Sequence, residues 1–383
     1  MTSRRSFIRI IGGGTVAAAT LGASGWWVSR DPMPAAAIAP WQGPDAGEPD
    51  IRRRLLAWAM LAPNPHNRQP WLVDLREPDV ITLYCDRSRL LPETDPFGRQ
   101  ILIGHGAFLE LLELAAAAAG LRASIVAFPQ GPFADDRVGE SPVARIQLRP
   151  DANATATPLF AAIPHRRSSK VPFLARSPDF EALQREVPPP FATVGLEARP
   201  QQVEEIGNLV QRGWEREALT PRTMQESIDL IRIGGDEIAR HRDGISLRGP
   251  LFWWGRKLGF IDRAALADTS GAGFRATAAR YAALHSATPA FGWIATADNS
   301  RITQLAVGRL YARLNLRATL AGQAMHPCSY TLQEYPEQAG HFAETAQLLG
   351  IAKGHRVQML FRLGHADVVE PSPRRPTGDI IMS

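Results

Sequence analysis

Apolar residues first recur at helical spacing from Ile51 to Leu61, where Ile51, Leu55 and Leu56 share a face and Asp50 stands at the capping position. Pro63 and Pro65 end that helix, since proline lacks the N–H and crowds the turn before it. Two strands follow, "WLVDL" and "VITLYCD", the second alternating as Ile81, Leu83, Cys85, so the pair predicts a hairpin with a buried Cys85 thiol. A polar, turn-rich stretch, "DRSRLLPETDPFGRQ", leads into a helix over about 100–119 that stops at Gly120. Strands fit "ASIVAF" and "ARIQLR", and residues 151–157 read as a joint. The second half opens with a short helix ending in "PHRRSSKVPF". Helices are expected over 203–219 and 223–241, a strand at "FGWIATA", a helix from 302 to about 325, and a last strand at "QMLFRLGHA". Residues 242–287 have no stable period and read as an excursion from the core. Helices and strands mix throughout, which predicts an α+β fold in two halves, 51–157 and 158–383.

The chain has 383 residues, 45% hydrophobic and 21% charged, an ordinary globular composition. Its two cysteines, Cys85 and Cys328, are too few for a disulfide framework or a four-cysteine metal site. Nine histidines show no paired ligand spacing and no His-Glu-x-x-His motif, so no metal is expected. Ser3, Arg4, Arg5, Ser6 and Phe7, followed by an apolar run to Val28, resemble a twin-arginine export signal. Residues 1–39 are therefore expected to be an export signal or N-terminal anchor, with cleavage after Ala37 or Ala39 or an uncleaved anchor, and 40–50 a linker. That placement is periplasmic or exported, with the twin-arginine translocation machinery as a partner. Residues 1–39 have a net charge of +3 against +5 for the whole chain, leaving +2 for the remainder. The basic balance is mostly the leader's and gives no reason to expect nucleic acid.

The chemistry concentrates in two stretches. "APNPHNRQPW" (62–71) is rigid and rich in amides, built to edge something planar and polar. "HRRSSKVPF" (165–173) gathers Arg166, Arg167 and Lys170 around two serines, a small anion site, and "PSPRRP" repeats the theme with Arg374 and Arg375. Pro63, Asn67, Gln69, Pro70 and Trp71 resemble the Asn-x-Gln-Pro-Trp loop of the nitroreductase family of FMN flavoproteins. Arg166 to Lys170 resemble that family's Arg-x-Ser-x-Lys/Arg phosphate element, and 362–364 with 374–376 its C-terminal pattern. The reversed order of the two elements, with "DRSRLLPETDPFGRQ" and the "RDGI" of 242–245, resembles the Acg-type branch, in which one chain holds two nitroreductase-like halves that mimic the usual dimer. Asn64 and Arg68 depart from the common loop.

The resemblance implies one FMN between the halves, and a monomer or weak dimer. Arg166, Ser168 and Lys170 would hold the phosphate, helped by Arg374 or Arg375. Asn64, Pro65 and Asn67 would lie at the flavin from the other half, with Gln69 and Trp71 supporting the loop. It implies an oxidoreductase moving two electrons from a donor to an electron-poor small-molecule acceptor. The donor would be NAD(P)H or, for an exported chain, a membrane quinol or partner protein. No side-chain base is required, and His66 is the nearest titratable candidate. The alternative is a non-catalytic FMN-binding or FMN-storing protein with 242–287 as a lid, Phe252, Trp253 and Trp254 closing over the ring.

Overall fold

The computed structural model describes residues 31–382. The expected leader lies outside the described residues up to residue 30; its last part, 31–39, lies within them.

The first half contains α1 (Ile51–Ala59), β1 (Trp71–Asp74), β2 (Val80–Cys85), α2 (Arg99–Ala118), β3 (Leu121–Ala127) and β4 (Ala144–Pro150). Its four strands form one antiparallel sheet in the order β1-β2-β4-β3. The hairpin pairs Trp71 with Cys85, which places both on the buried side. Asp50 caps α1 by accepting the Arg52 N–H.

The second half contains β5 (Ala192–Glu197), α3 (Pro200–Leu219), β6 (Ile231–Ile233), β7 (Ile245–Leu247), β8 (Ala290–Thr296), α4 (Arg301–Leu320), β9 (Ala324–Pro327) and β10 (Arg356–Gly364). Four of these strands form a second antiparallel sheet in the order β5-β8-β10-β9. The fold is α+β in two halves of like build.

The halves share two helices. Leu305, Ala312 and Leu316 of α4 enter the core of the first half, while Ile103 of α2 enters that of the second. The two helices can approach this closely because they meet at glycines. A Cβ on Gly106 would overlap the Leu305 carbonyl oxygen, and one on Gly308 that of Ile103. By length and composition α2 could cross a membrane, yet 83% of its apolar stretch is buried, as in a core helix. Along the seam Arg309 and Arg313 pair with Glu110, and Arg313 and Arg317 with Glu186. The tail then leaves the second half: Ile381 bridges Val73 in parallel and the Met382 N–H reaches the Val73 carbonyl, extending the first sheet at its β1 edge.

Three expectations change. The helix expected over 223–241 is broken into Pro221–Asp229 and Gly234–His241 with β6 between them. Gly234, at φ +80°, makes the turn, and β6 pairs in parallel with β7. The helix expected to reach 325 ends at Leu320, because Gly322 (φ +67°) turns the chain and Met325 pairs with Leu363 in the second sheet. The excursion 242–287 is regular: β7 is followed by helices Pro250–Lys257, Arg263–Ala267 and Ala272–Ser286. Cys85 and Cys328 are both free, buried thiols, and burial raises both, Cys328 to about 12.

Candidate functional site

A cavity of about 410 Å³, within the usual range for small-molecule sites, is lined by both halves. Its wall includes Asn64, Pro65, His66 and Asn67 of the first half and Arg166, Ser168 and Lys170 of the second, with Arg374 from the tail. Stretches about a hundred residues apart, each read from sequence as a site fragment, thus border one space. Arg375 does not line it. Its side chain donates to the Gln69 and Asp379 carbonyls, and its backbone N–H to Gln69 Oε1, so it fastens the tail.

One end of the cavity is a positive cluster without a negative partner. Arg166 is 2% exposed, and of its guanidinium only Nη2 has a partner, the Leu61 carbonyl at 2.9 Å; Nε and Nη1 are enclosed and unpaired. Burial first, then the charge of Arg167, pulls its pKa down to about 10, with the phenol of Tyr311 acting the other way. Arg374 is 2% exposed, and burial, then Arg166 and Arg167, lowers its pKa well below the usual range. It is better satisfied than Arg166, donating to Asn67 Oδ1 at 2.8 Å, to Ser372 Oγ and to the carbonyls of Leu61, Ala62 and Pro373. Among the described residues no carboxylate forms an ion pair with Arg166, Arg167 or Arg374. A buried guanidinium with free N–H groups and no counterion is a site for an anion, and phosphate oxygens match its fork. The residues present fit the phosphate of FMN.

The loop at the other wall is held rigidly, and its amides are spent on holding it. Asn64 Oδ1 accepts the Gln69 N–H at 2.7 Å and its Nδ2 donates to the Ala62 carbonyl. Asn67 binds the tail through the Pro373 carbonyl and Arg374. His66, Asn67 and Gln69 all adopt positive φ, at 47°, 52° and 49°. Such backbone costs about 1–3 kcal/mol per residue and persists only where the surroundings fix it. Gln69 fixes it: fully buried, it donates to the Arg242 carbonyl, while Gly244 N–H reaches the Asn67 carbonyl. The "RDGI" turn is therefore a clamp on this loop. Asp243 sits at its centre, paired with Arg68, Arg89 and Arg232. Arg68 does not line the cavity but belongs to this ionic cluster. Gln69 and Trp71 are both wholly buried behind the cavity wall.

His66 lines the cavity with Nδ1 enclosed and unpaired. Burial, followed by the charges of Lys170 and Arg68, pushes it down to about 3. It is neutral at physiological pH and does not titrate there. The group that does is Glu217 on α3, 7% exposed and also in the wall. It accepts from Gln333 Nε2 at 2.8 Å and Ser227 Oγ at 3.1 Å and forms no ion pair among the described residues, the charge of Lys170 acting on it only weakly. Burial raises its pKa to about 7 against the lowering effect of those two hydrogen bonds. Sequence held a signal for it: Val203, Ile206, Val210 and Trp214 form the apolar stripe of α3, and Glu217 continues that stripe with a carboxyl. His326, also in the wall, accepts from Arg362 through Nδ1 at 3.3 Å, which leaves Nε2 as the protonated nitrogen. Trp41, assigned to the linker by sequence, lines the cavity too. Phe252, Trp253 and Trp254 do not; the excursion reaches the cavity through Gly244, Ile245, Ser246 and Arg248 instead.

The Glu217 carboxyl gives a signed pH dependence. Its folded pKa lies above the ordinary 4.5, so its contribution is fully present below that value and is lost as pH rises through about 7. Glu217→Gln is expected to be more stable than wild type at pH 8, by about 3 kcal/mol at most, and nearly equal to it at pH 4.5. Urea unfolding at both pH values checks this; a difference independent of pH would contradict a neutral buried carboxyl.

No family model matches the chain. A Mycobacterium tuberculosis protein provisionally named NAD(P)H nitroreductase acg is 27% identical over 358 residues, covering 86% of this chain and 95% of that protein. Over most of both lengths the chain is thus similar to a protein that carries a nitroreductase name. A second M. tuberculosis protein with a provisional NAD(P)H nitroreductase name is 33% identical over 127 residues, 33% of this chain and 34% of its own length. Among solved structures, a nitroreductase so assigned from Anabaena variabilis covers 86% of this chain and 91% of its own at 13% identity and a TM-score of 0.40. The FMN-dependent nitroreductase NfnB from Mycobacterium smegmatis, in complex with NADPH, covers 58% and 96% at 15% identity and a TM-score of 0.36.

Proposed function

We propose that the chain is an FMN-dependent oxidoreductase of the nitroreductase type, passing two electrons from a reduced donor to an electron-poor small-molecule acceptor. The observation that carries this reading is the buried, uncompensated Arg166 in the same cavity wall as the Asn64–Asn67 loop. Arg166, Ser168 and Lys170 would hold the phosphate, with Arg374 ordering the tail beside them. The strained loop would present a fixed edge to the ring system, because each of its amides is already committed to the protein. FMN supplies the hydride chemistry, and the protein orients it and sets its electrostatics. The neutral His66 ring and the His326 Nε2–H would offer hydrogen bonds without adding charge. Glu217, poised near neutrality, would hold a proton within the cavity.

The nitroreductase name of the mycobacterial relative supports NAD(P)H as donor. A second reading, an FMN-storing protein, is favoured by one feature: Arg248 of the excursion and Glu370 of the tail, both in the cavity wall, pair with each other. Anaerobic mixing of the FMN-loaded protein with NADPH and with NADH separates the readings. The oxidoreductase reading expects one of them to bleach the flavin absorbance, and a nitroaromatic or quinone acceptor to restore it. Flavin that neither nicotinamide nor a quinol reduces would support storage instead.

A further inference from the structure

By sequence the segment Asp31–Gln42 is the end of an export signal or uncleaved N-terminal anchor and the start of a linker. In the fold it is fastened at both ends and in the middle. Asp31, 5% exposed, accepts the Gly235 N–H at 2.7 Å on one carboxylate oxygen and the Gly249 N–H at 3.0 Å on the other. Those amides open the helices Gly234–His241 and Pro250–Lys257, so the carboxylate also meets two favourable helix ends. Ala37 is fully buried, and its carbonyl accepts the Arg374 N–H at 2.8 Å. Trp41 donates its indole N–H to the Ser372 carbonyl at 2.8 Å.

The Trp41 ring stands where the cation cluster has its deficit. The guanidinium carbons of Arg167, Arg374 and Arg166 lie 4.5, 5.0 and 5.6 Å from its centroid. No carboxylate pairs with these three among the described residues, so the electron-rich ring face is the compensation the protein supplies. It does so without competing for the N–H groups of Arg166, which stay free for an anion. Met33 of the same segment lines the cavity beside it.

We propose that residues 31–42 are a strap belonging to the cofactor site, with Trp41 as a binding residue that holds the guanidinium cluster in place, and that the mature chain retains them. The proposal rests on the FMN reading above. Cleavage after Ala37 or Ala39 would cut the strap between its Asp31 anchor and Trp41. At Ala37 it would also have to reach a residue that is fully buried once the chain has folded, its carbonyl held by the Arg374 N–H, whereas proteolysis selects exposed, mobile segments. The twin-arginine pattern implies export in the folded state, so the bond after Ala37 would reach the far side of the membrane already covered, and a cut after the exposed Ala39 would still sever Trp41 from the Asp31 anchor.

Two measurements on the whole chain test this. The intact mass of the mature protein from its native host is expected to include Asp31. FMN titration by flavin fluorescence is expected to show Trp41→Ala binding about tenfold more weakly than wild type, and Trp41→Phe, which keeps a ring face, within about threefold of it. Asp31→Asn, which leaves the ring intact but removes a charge at the anchor, is expected to speed FMN release and keeps the test alive should Trp41→Ala fail to fold. A mature chain beginning at Ile38 or Pro40 overturns the proposal, as does an unchanged FMN affinity and release rate in the folded variants. A wild-type chain that binds no FMN refutes the functional reading itself, an outcome distinct from a wild type that binds and a Trp41→Ala that binds equally well.

Discussion

Arg166→Ala is expected to weaken FMN binding by about tenfold to a hundredfold. Hydrogen bonds to a charged group contribute roughly 1.5–3 kcal/mol, and each 1.4 kcal/mol is about tenfold in affinity. Arg166 is suited to make them, because two of its nitrogens are enclosed with no protein partner. The same feature predicts an opposite effect on the empty protein. A buried cation with unmet N–H groups costs stability, on the order of 1–3 kcal/mol. Arg166→Met, which keeps the volume and removes the charge, should therefore raise the unfolding free energy of the FMN-free protein while lowering its affinity for FMN. Arg68→Ala should do the reverse. Its guanidinium serves Asp243 and the carbonyls of Ser88 and Arg89, so its loss lowers stability and leaves FMN affinity within about threefold. Flavin fluorescence titrations and urea unfolding of the three variants at one ionic strength decide it. Equal affinity losses for Arg68→Ala and Arg166→Ala would remove the phosphate assignment from "RRSSK".

The second large effect lies at the helix crossing that joins the halves. Gly308→Ala is expected to cost about 3 kcal/mol of stability, near the upper end of what overpacking usually costs, because the added methyl would overlap the backbone carbonyl of Ile103 rather than a side chain that could turn away. Gly106→Ala meets the Leu305 carbonyl in the same way. Both helices carry residues of both cores, so separating them strains both halves and the cavity they line. Gly340, by contrast, has open space where a Cβ would stand, and Gly340→Ala serves as the control. Urea unfolding that ranks Gly308→Ala no worse than Gly340→Ala would contradict a close crossing.

How much of this was legible in the sequence depended on whether the signal was local. The hairpin of β1 and β2 was readable because alternation and turn residues are properties of neighbours. That 166–170 would border the cavity was readable because charge and hydroxyls cluster within five residues. What sequence missed is set by contacts across long separations. The helix expected over 223–241 looked continuous because its apolar spacing is helical; the turn at Gly234 and the pairing of β6 with β7, across the turn that clamps Asn67 and Gln69, break it. Arg68 stood out only as a departure from the common loop, because its partner Asp243 is 175 residues away. Arg374 and Arg375 looked equivalent side by side, yet only Arg374 meets the cavity, while Arg375 donates to the Gln69 and Asp379 carbonyls. Trp41 had no local pattern at all, since its partners are Arg166, Arg167 and the tail residues Ser372 and Arg374. Glu217 is the one missed residue with a signal of its own, a carboxyl on an otherwise apolar helical stripe.

The most direct test is a titration of the purified whole chain with FMN, followed by flavin fluorescence and absorbance, beside riboflavin, which lacks the phosphate. The account predicts a yellow protein that binds one FMN per chain and holds FMN at least about a hundredfold more tightly than riboflavin, since no carboxylate among the described residues pairs with the buried guanidinium cluster. A colourless protein that takes up no FMN, or one that binds riboflavin equally well, would contradict the account.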